Sequence, residues 1–536
     1  MRHLAIALTL AGAALGGCSA KAPENSQLDS IIWPMGDANV TGLINGDGIA
    51  QFRGIAYAKA PVGDLRWQAP VALDRPNGEI DATRFGAACP QGQGNPNWYR
   101  SVAQGFDAQT ADIPDLENIS EDCLTLNIWA DQDVETQKPV MVWIHGGSNV
   151  NGFSHEPNYL GDKLAAKGVV VVSLNYRMGA LGFVPHPLLD QQDTSGVSGY
   201  YGLADQVAAL TWVQDNIAAF GGDPDNVTVF GESAGGGNIS ALLRMPSATG
   251  LFHRAAIQSG ALAPYDAIAY DTAQAAGEKL FTDLGASTLD EMRALDWATI
   301  VERTPDALPD YYFGPVADGA TLAGAQIVNP VPLLIGANAD EMLMYLDADD
   351  PTPFETAATS YAQGDGAKRA ALEAFFAGTA DAGTADADSA DAGENNGDAL
   401  MRANKMSSAA EFFCPALSLA MRADEAGAPV FFYYFTRTRP DGNMLGAYHG
   451  AEIPYVFDTA DDWLPHDETD TQLTKIMQDY WINFARTGTP NGPDEAEAPA
   501  WLALNGAGIN VQELGAAIGP TLDHPAGACS LFNSSN

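Results

Sequence analysis

The sequence predicts an α/β fold in which a central, mostly parallel sheet is flanked by helices and preceded by an N-terminal antiparallel extension. Three observations carry this. Continuous apolar runs that end in glycine or polar residues, such as "PVMVWIHGG" from 139 and "GVVVVSLNYR" from 168, have the texture of strands buried on both faces. Helical stretches lie between and after them, for example "LADQVAALTWVQDNIAAFG", which stops on Gly221. "NVTVFG" and "VPLLIGAN" then repeat the buried-strand pattern, and strands alternating with helices build a parallel sheet covered on both sides.

At 536 residues with 46% hydrophobic and 18% charged content, the chain is rich enough in apolar residues to fold rather than stay disordered. Its net charge of −42, from 68 acidic against 26 basic residues, repels phosphate backbones and argues against nucleic-acid partners.

The elements follow in chain order. "MRHLAIALTLAGAALGGC" is an export pattern: Arg2 supplies the positive start, and the apolar core from Leu4 to Leu15 is too short to span a bilayer. "LGGC" resembles a bacterial lipobox, so residues 1–17 are expected to be a signal peptide and Cys18 the acylated mature N-terminus. The protein is then a cell-envelope lipoprotein held to a membrane at Cys18; a plain signal peptide would make it secreted. Residues 18–38 are expected to form a polar tether. From about 39 to 130, short β-type runs such as "GIAQFRGIAYAK" and "CLTLNIWA" read as antiparallel strands with long connections. The acidic, imperfectly repeating "GTADAGTADADSADAGENNGD" at 378–398 lacks the apolar residues to pack and reads as a mobile surface insert. The rest, 39–536, forms one domain. Setting Cys18 aside leaves Cys89, Cys123, Cys414 and Cys529, an even number that suggests two disulfides with three possible pairings in an exported chain.

Gly231-Glu232-Ser233-Ala234-Gly235 is a G-x-S-x-G elbow, with the strand "NVTVF" before it and the helical "NISALL" after it. The sharp turn lifts a serine hydroxyl above the sheet, and small residues at 231 and 235 let it pack closely. Ser233 is therefore the candidate nucleophile. A serine needs a general base, and in folds with this elbow the acid and then the histidine follow the serine in the chain. Of the histidines after Ser233, His253 follows too closely to leave room for an acid-bearing strand. His466 lies in an acidic loop, "DDWLPHDETD", and His524 in a Pro- and Gly-containing tail. His449, in the glycine-flanked "GAYHGAEIPYVF", remains as the base. The acid should end a buried strand, and "VPLLIGANADE" offers Asp340 and Glu341, between which spacing does not choose. An oxyanion needs backbone N–H donors, expected from Ala234 and from the glycine loop "VWIHGGSN". His145 precedes the elbow and is expected to be structural.

These residues resemble the type B carboxylesterase family of the α/β-hydrolase superfamily, which includes the cholinesterases. The resemblance spans nearly all of the chain after residue 40. It rests on "RGIAYAKAPVGDLRW", "EDCLTLNIW", "WIHGG", "LNYRMGALGF", "NIAAFGGDPDNVTVFGESAGG", "DYWINFARTGTPN" and "CSLFN". It implies the α/β-hydrolase fold and a Ser-Glu-His triad, hence Ser233, Glu341 and His449, acting on a small-molecule ester without a cofactor or metal. It places the oxyanion donors at Gly147, Ser148 and Ala234. It pairs Cys89 with Cys123 and Cys414 with Cys529, loops whose closure is worth about 4–5 kcal/mol each by chain entropy.

The chain departs from the family at "GGSN", where three glycines and an aromatic residue are usual. The Ser148 side chain and Asn149 are expected to narrow or polarise the acyl side of the pocket. Trp98 and Tyr99 either line the entrance or pack. A non-catalytic recognition protein, an amidase or a lipase are the alternatives. The complete triad speaks against the first, and no large apolar lid supports the last.

Overall fold

The computed structural model describes residues 28–532, apart from 75–76, 109–112, 262–266, 310, 323, 379–395, 443–444, 493–497 and 506–507. The signal segment 1–17 and the first ten residues of the tether, Cys18 included, lie outside the described residues, as does nearly all of the acidic insert 378–398. The last three residues of that insert open a helix, Asn396–Ser408.

The strands, in chain order, are β1 (Asp29–Met35), β2 (Asp37–Ile44), β3 (Ile49–Ala56), β4 (Asn77–Asp81) and β5 (Thr125–Asp131). There follow β6 (Lys138–Ile144), β7 (Val170–Leu174), β8 (Gly222–Glu232), β9 (Arg254–Gln258), β10 (Ile268–Ala269) and β11 (Val316–Ala317). The last are β12 (Leu333–Asn338), β13 (Val430–Phe435), β14 (Val511–Leu514) and β15 (Ile518–Thr521). Among the described residues, thirteen of them form one sheet in the order β1-β2-β3-β5-β7-β6-β8-β9-β12-β13-β14-β15, with β4 on β2, while β10 and β11 pair separately.

The central run β7-β6-β8-β9-β12-β13-β14 is parallel throughout. The N-terminal strands β1, β2, β3 and β5 pair antiparallel, as the sequence predicts. That extension begins ten residues earlier than expected, and the tether boundary at 38 is corrected accordingly. β1 pairs along its whole length with β2, and Trp33 of β1 meets Phe52 at a ring distance of 4.9 Å. Burial of Ile31, Trp33 and Met35 against the core gives residues 29–35 a reason to fold that an exposed tether would not have.

Val142, Trp143 and Ile144 of β6 and Val227, Val229 and Phe230 of β8 are fully buried. Each such side chain contributes about 1.5–3 kcal/mol by leaving water, so an unpaired charge at Val142 or Val229 would cost several kcal/mol. This packing fixes where the strands end. β6, β8, β12 and β13 run in one direction, so the chain leaves all four at one edge of the sheet, where parallel sheets present their ligand crevices. Disulfides join Cys89 to Cys123 and Cys414 to Cys529.

Candidate active site

β8 ends at Glu232, and the helix Ala234–Leu242 starts two residues later. Ser233 alone makes the turn, with φ 52°, a left-handed conformation that a side-chain-bearing residue adopts only under constraint. The constraint is packing. A Cβ on Gly235 would lie 2.0 Å from the Ile144 carbonyl oxygen, and one on Gly231 would lie 2.6 Å from it. The Ser233 N–H donates to the Gln258 carbonyl of β9 at 2.9 Å, pinning the elbow to the neighbouring strand.

Glu341 follows β12 and is fully buried. Its Oε1 accepts the Asn338 N–H at 2.6 Å, and its Oε2 lies 2.6 Å from His449 Nδ1. Asp340, the other candidate, is turned away: its carboxylate accepts the Ala447 N–H and the Asn404 amide, each at 2.8 Å, and pairs with Lys405 at 2.9 Å. Asp340 thus holds the loop that carries His449, while Glu341 touches the ring. The other histidines after the elbow stand elsewhere: His253 Nδ1 accepts the Val227 N–H, His524 caps a short helix, and His466 is exposed.

His449 Nε2 lies 3.2 Å from Oε1 of Glu232, the residue just before the nucleophile. Burial opposes a charge on this ring, but Glu232, Tyr345 and Glu341 outweigh it and hold its pKa well above 6.5. Burial, countered by His449 and reinforced by Glu452 and Glu341, pushes Glu232 up to about 8. Glu452 is itself buried and accepts from the side-chain amides of Gln258 at 3.1 Å and Asn338 at 2.6 Å. Neither Glu232 nor Glu452 is among the residues expected from the sequence; the signal for Glu232 is its place inside the elbow motif.

The loop after β6 takes three left-handed residues in a row, Gly147 (φ 99°), Ser148 (φ 55°) and Asn149 (φ 56°). Gly147 is obligatory, because its Cβ would meet the Asn151 carbonyl oxygen at 2.2 Å. The turn brings Gly146 against Ser233, with 3.0 Å between an added Cβ and the Ser233 Cβ. Among the backbone hydrogen bonds of the described residues, none takes up the N–H groups of Gly147, Ser148 or Ala234, so three donors are free beside the serine. His145 is fully buried, stacks on Tyr176 and bonds to the Gly146 carbonyl; burial lowers its pKa to about 4, so it is neutral.

Ser148 lines the pocket, as expected, but Asn149 does not. Its side chain is fully buried behind the loop, with Nδ2 donating to the Phe313 carbonyl at 3.1 Å. Its Oδ1 accepts from Asn238 Nδ2 at 2.9 Å and from the Tyr176 hydroxyl at 3.2 Å. The expectation that Asn149 polarises the acyl side is therefore corrected: the left-handed turn points it inward, where a polar side chain must find partners.

The pocket around Ser233 measures about 220 Å³ and includes Gly147, Ser148, Glu232, His449, Trp98 and Tyr99. Trp98 and Tyr99, on the helix Gly94–Gly105 within the first disulfide loop, both line the wall of this pocket and pack on each other at a ring distance of 5.1 Å. A wider compartment of about 810 Å³ shares Asn95, Tyr99, Asp461 and Trp463 with it. Together the two carry the carboxyl groups of Glu156, Glu232, Asp107, Asp461 and Asp462, and no Lys or Arg among the described residues. Glu156 accepts from the Tyr99 hydroxyl and the Phe153 N–H, each at 3.0 Å, and burial raises it to about 7.

A profile of the carboxylesterase family matches residues 36–518. The para-nitrobenzyl esterase of Bacillus subtilis is 35% identical over 487 residues, spanning 86% of this chain and 90% of that protein. The human cocaine esterase is 34% identical over 474 residues, with 83% of this chain and 80% of that protein aligned. Among solved structures, a PNB esterase superposes with a TM-score of 0.73 at 30% identity, covering 94% of this chain and 99% of the other. A Geobacillus stearothermophilus carboxylesterase superposes with 0.76 at 29% identity, covering 94% and 100%.

Proposed function

This chain belongs to the carboxylesterase family and is an ester hydrolase of the α/β-hydrolase fold, and we propose that Ser233, Glu341 and His449 are its catalytic triad. The observation that carries the proposal is the 2.6 Å contact between Glu341 and His449 Nδ1, with Nε2 of the same ring and Ser233 facing one pocket. Glu341 fixes the ring tautomer that leaves Nε2 free to accept, and it stabilises the imidazolium that forms.

In the reaction, His449 Nε2 takes the Ser233 proton as Oγ attacks the ester carbonyl. The N–H groups of Gly147, Ser148 and Ala234 stabilise the resulting oxyanion. Collapse expels the alcohol, which receives its proton from His449. Water then attacks the acyl-enzyme, again giving a proton to His449, and the acid leaves. Glu232, 3.2 Å from Nε2, competes with Ser233 for the ring and favours its protonated form, so turnover needs a pH high enough to free the base. Asp107, Asp461 and Asp462 line the wider compartment with no Lys or Arg among the described residues, which favours neutral or cationic esters over anionic ones.

We also propose that the protein is an exported lipoprotein anchored at Cys18. The two disulfides fit an oxidising compartment, and among the described residues no helix is long and apolar enough to cross a membrane. Palmitate should label the wild type and not Cys18→Ala; equal labelling, or none in either, would reject the anchor. For the triad, Ser233→Ala should abolish nitrophenyl acetate hydrolysis, and wild-type turnover in that variant would overturn the assignment.

A further inference from the structure

His449 is held at both ring nitrogens, by Glu341 at Nδ1 (2.6 Å) and by Glu232 at Nε2 (3.2 Å). Two such contacts leave the ring free to tilt about the line that joins them, and hydrogen bonds tolerate considerable bending before they weaken steeply. The tilt is limited by what packs on the flanks of the ring. Two aromatic side chains do so: Tyr345, with ring centroids 6.1 Å apart, and Phe412, at 4.8 Å and inclined by 46°. Tyr345 is exposed and lines the Ser233 pocket, where solvent and substrate reach it. Phe412 is half-buried against the core and, among the described residues, is not on the wall of that pocket.

Phe412 owes its place to an unusual turn. The helices Asn396–Ser408 and Cys414–Glu425 form one continuous rod, joined by the π-helical turn Ala409–Phe413, in which the Cys414 N–H donates to the Ala409 carbonyl five residues back. Pro415 supplies the cause. It has no N–H, and in a regular α-helix its ring would strike the Glu411 carbonyl, so the turn before it widens. Such turns are rare and are found frequently at functional sites. This one is anchored next to Phe412: Phe413 is buried against Phe432 and Tyr434 of β13 at ring distances of 5.2 and 5.4 Å, and Cys414 carries the disulfide to Cys529. The same rod grips the acid loop. Asn404 and Lys405 bind the Asp340 carboxylate at 2.8 and 2.9 Å, and the Ser408 hydroxyl accepts the Met342 N–H at 3.1 Å. One helix therefore touches the residues on both sides of Glu341 and, a turn further on, the ring that Glu341 orients.

We propose that Phe412 is a positioning residue for the reaction: presented by the π-turn, it holds the His449 ring at the tilt from which Nε2 reaches Ser233. The proposal rests on His449 being the base and adds what keeps that base aligned. Phe412 acts through the ring and does not touch the substrate.

The test compares Phe412→Ala, Phe412→Val and Phe412→Leu with wild type on nitrophenyl acetate and nitrophenyl butyrate. A reacting group displaced by about 1 Å costs about 10²-fold, so Phe412→Ala should lower kcat by about 10–100-fold and Phe412→Val by less. Leucine refills most of the space, so Phe412→Leu should return to within about threefold of wild type. Alignment of the base matters only in the transition state, so kcat and kcat/KM should fall by the same factor on both esters, with KM unmoved. The Nδ1–H of His449, bonded to Glu341, gives an independent signature: its low-field proton resonance should broaden or shift in Phe412→Ala and return in Phe412→Leu. A Phe412→Ala kcat within about threefold of wild type, an unmoved resonance, or no recovery with leucine would overturn the proposal. So would a loss that falls in KM or on one ester alone, which would make Phe412 part of the substrate wall. Should Phe412→Ala fail to fold, Phe412→Val decides by the same measures. His449→Gln judges the base separately: if it keeps the wild-type rate the triad reading itself fails, whereas a dead His449→Gln beside an unaffected Phe412→Ala rejects this proposal alone.

Discussion

Truncation of Asn149 to alanine separates the oxyanion loop from the scaffold behind it. The wild-type side chain is fully buried and bonds to Phe313, Asn238 and Tyr176. The Tyr176 hydroxyl also reaches the His145 carbonyl at 2.9 Å and bonds to the Asn238 side chain, so both keep a partner; the Phe313 carbonyl loses the one it has among the described residues. One buried group left unpaired costs about 1–3 kcal/mol. Alanine at φ 56° adds about 1 kcal/mol, because asparagine tolerates the left-handed region better than alanine does. The sum is about 2–4 kcal/mol of stability, less whatever a water in the vacated space recovers. Asn238 lies on the helix that begins immediately after Ser233, so losing this bond also uncouples the Gly147 and Ser148 donors from the nucleophile. One misplaced oxyanion donor costs about 10²–10³ in kcat. Nitrophenyl acetate kinetics, run well below the melting temperature, should show kcat down by about that factor with KM little changed. Asn149→Gly removes the same bonds without the backbone strain, and should melt higher than Asn149→Ala by the equivalent of about 1 kcal/mol. If Asn149→Ala is destabilised yet keeps its kcat, Asn149 serves the fold alone and the reasoning fails.

Glu232→Gln removes the carboxylate at 3.2 Å that raises the pKa of His449 most, leaving only Tyr345 and Glu341 to oppose burial. Since the base works only when neutral, the acid limb of kcat/KM should lie above pH 6.5 in the wild type and move to lower pH in the variant; an unmoved limb would show that Glu232 does not set it. Glu341→Gln should cost about 10⁴ in kcat through loss of the ring partner, whereas Asp340→Asn should chiefly lower the melting temperature, and equal kinetic losses would refute this division of roles. Replacing both Cys414 and Cys529 with alanine should cost about 5 kcal/mol by denaturant melts; a change under about 1 kcal/mol would show that the 115-residue separation does not govern stability here.

The parallel core and the elbow were legible in the sequence because both depend on local pattern. Strands such as β6, β7 and β12 are buried along nearly their whole length and read as unbroken apolar runs. Ser233 sits between one such strand and a helix, and His449 followed from chain order. β1 was missed because it is an edge strand with only part of one face covered; "DSIIWPM" combines exposed polar positions with a proline. Asn149 was misplaced for a different reason. Its direction follows from three consecutive left-handed residues, which are imposed by contacts of Gly147 and Gly146 that no spacing encodes. The contact of Glu232 with His449 joins residues more than two hundred positions apart and arises only once β8 and the loop after β13 reach the same edge of the sheet.

With Ser233 as nucleophile, hydrolysis passes through an acyl group on that residue. Acid-quenched turnover of nitrophenyl acetate, followed by peptide mass spectrometry, tests it most directly. The expected result is a single acetyl group on the peptide carrying Ser233, present in the wild type, retained longer in His449→Ala if that variant acylates at all, and absent from Ser233→Ala. Steady turnover with no acetyl on that peptide, or with acetyl on another residue whose loss stops the reaction, would contradict it.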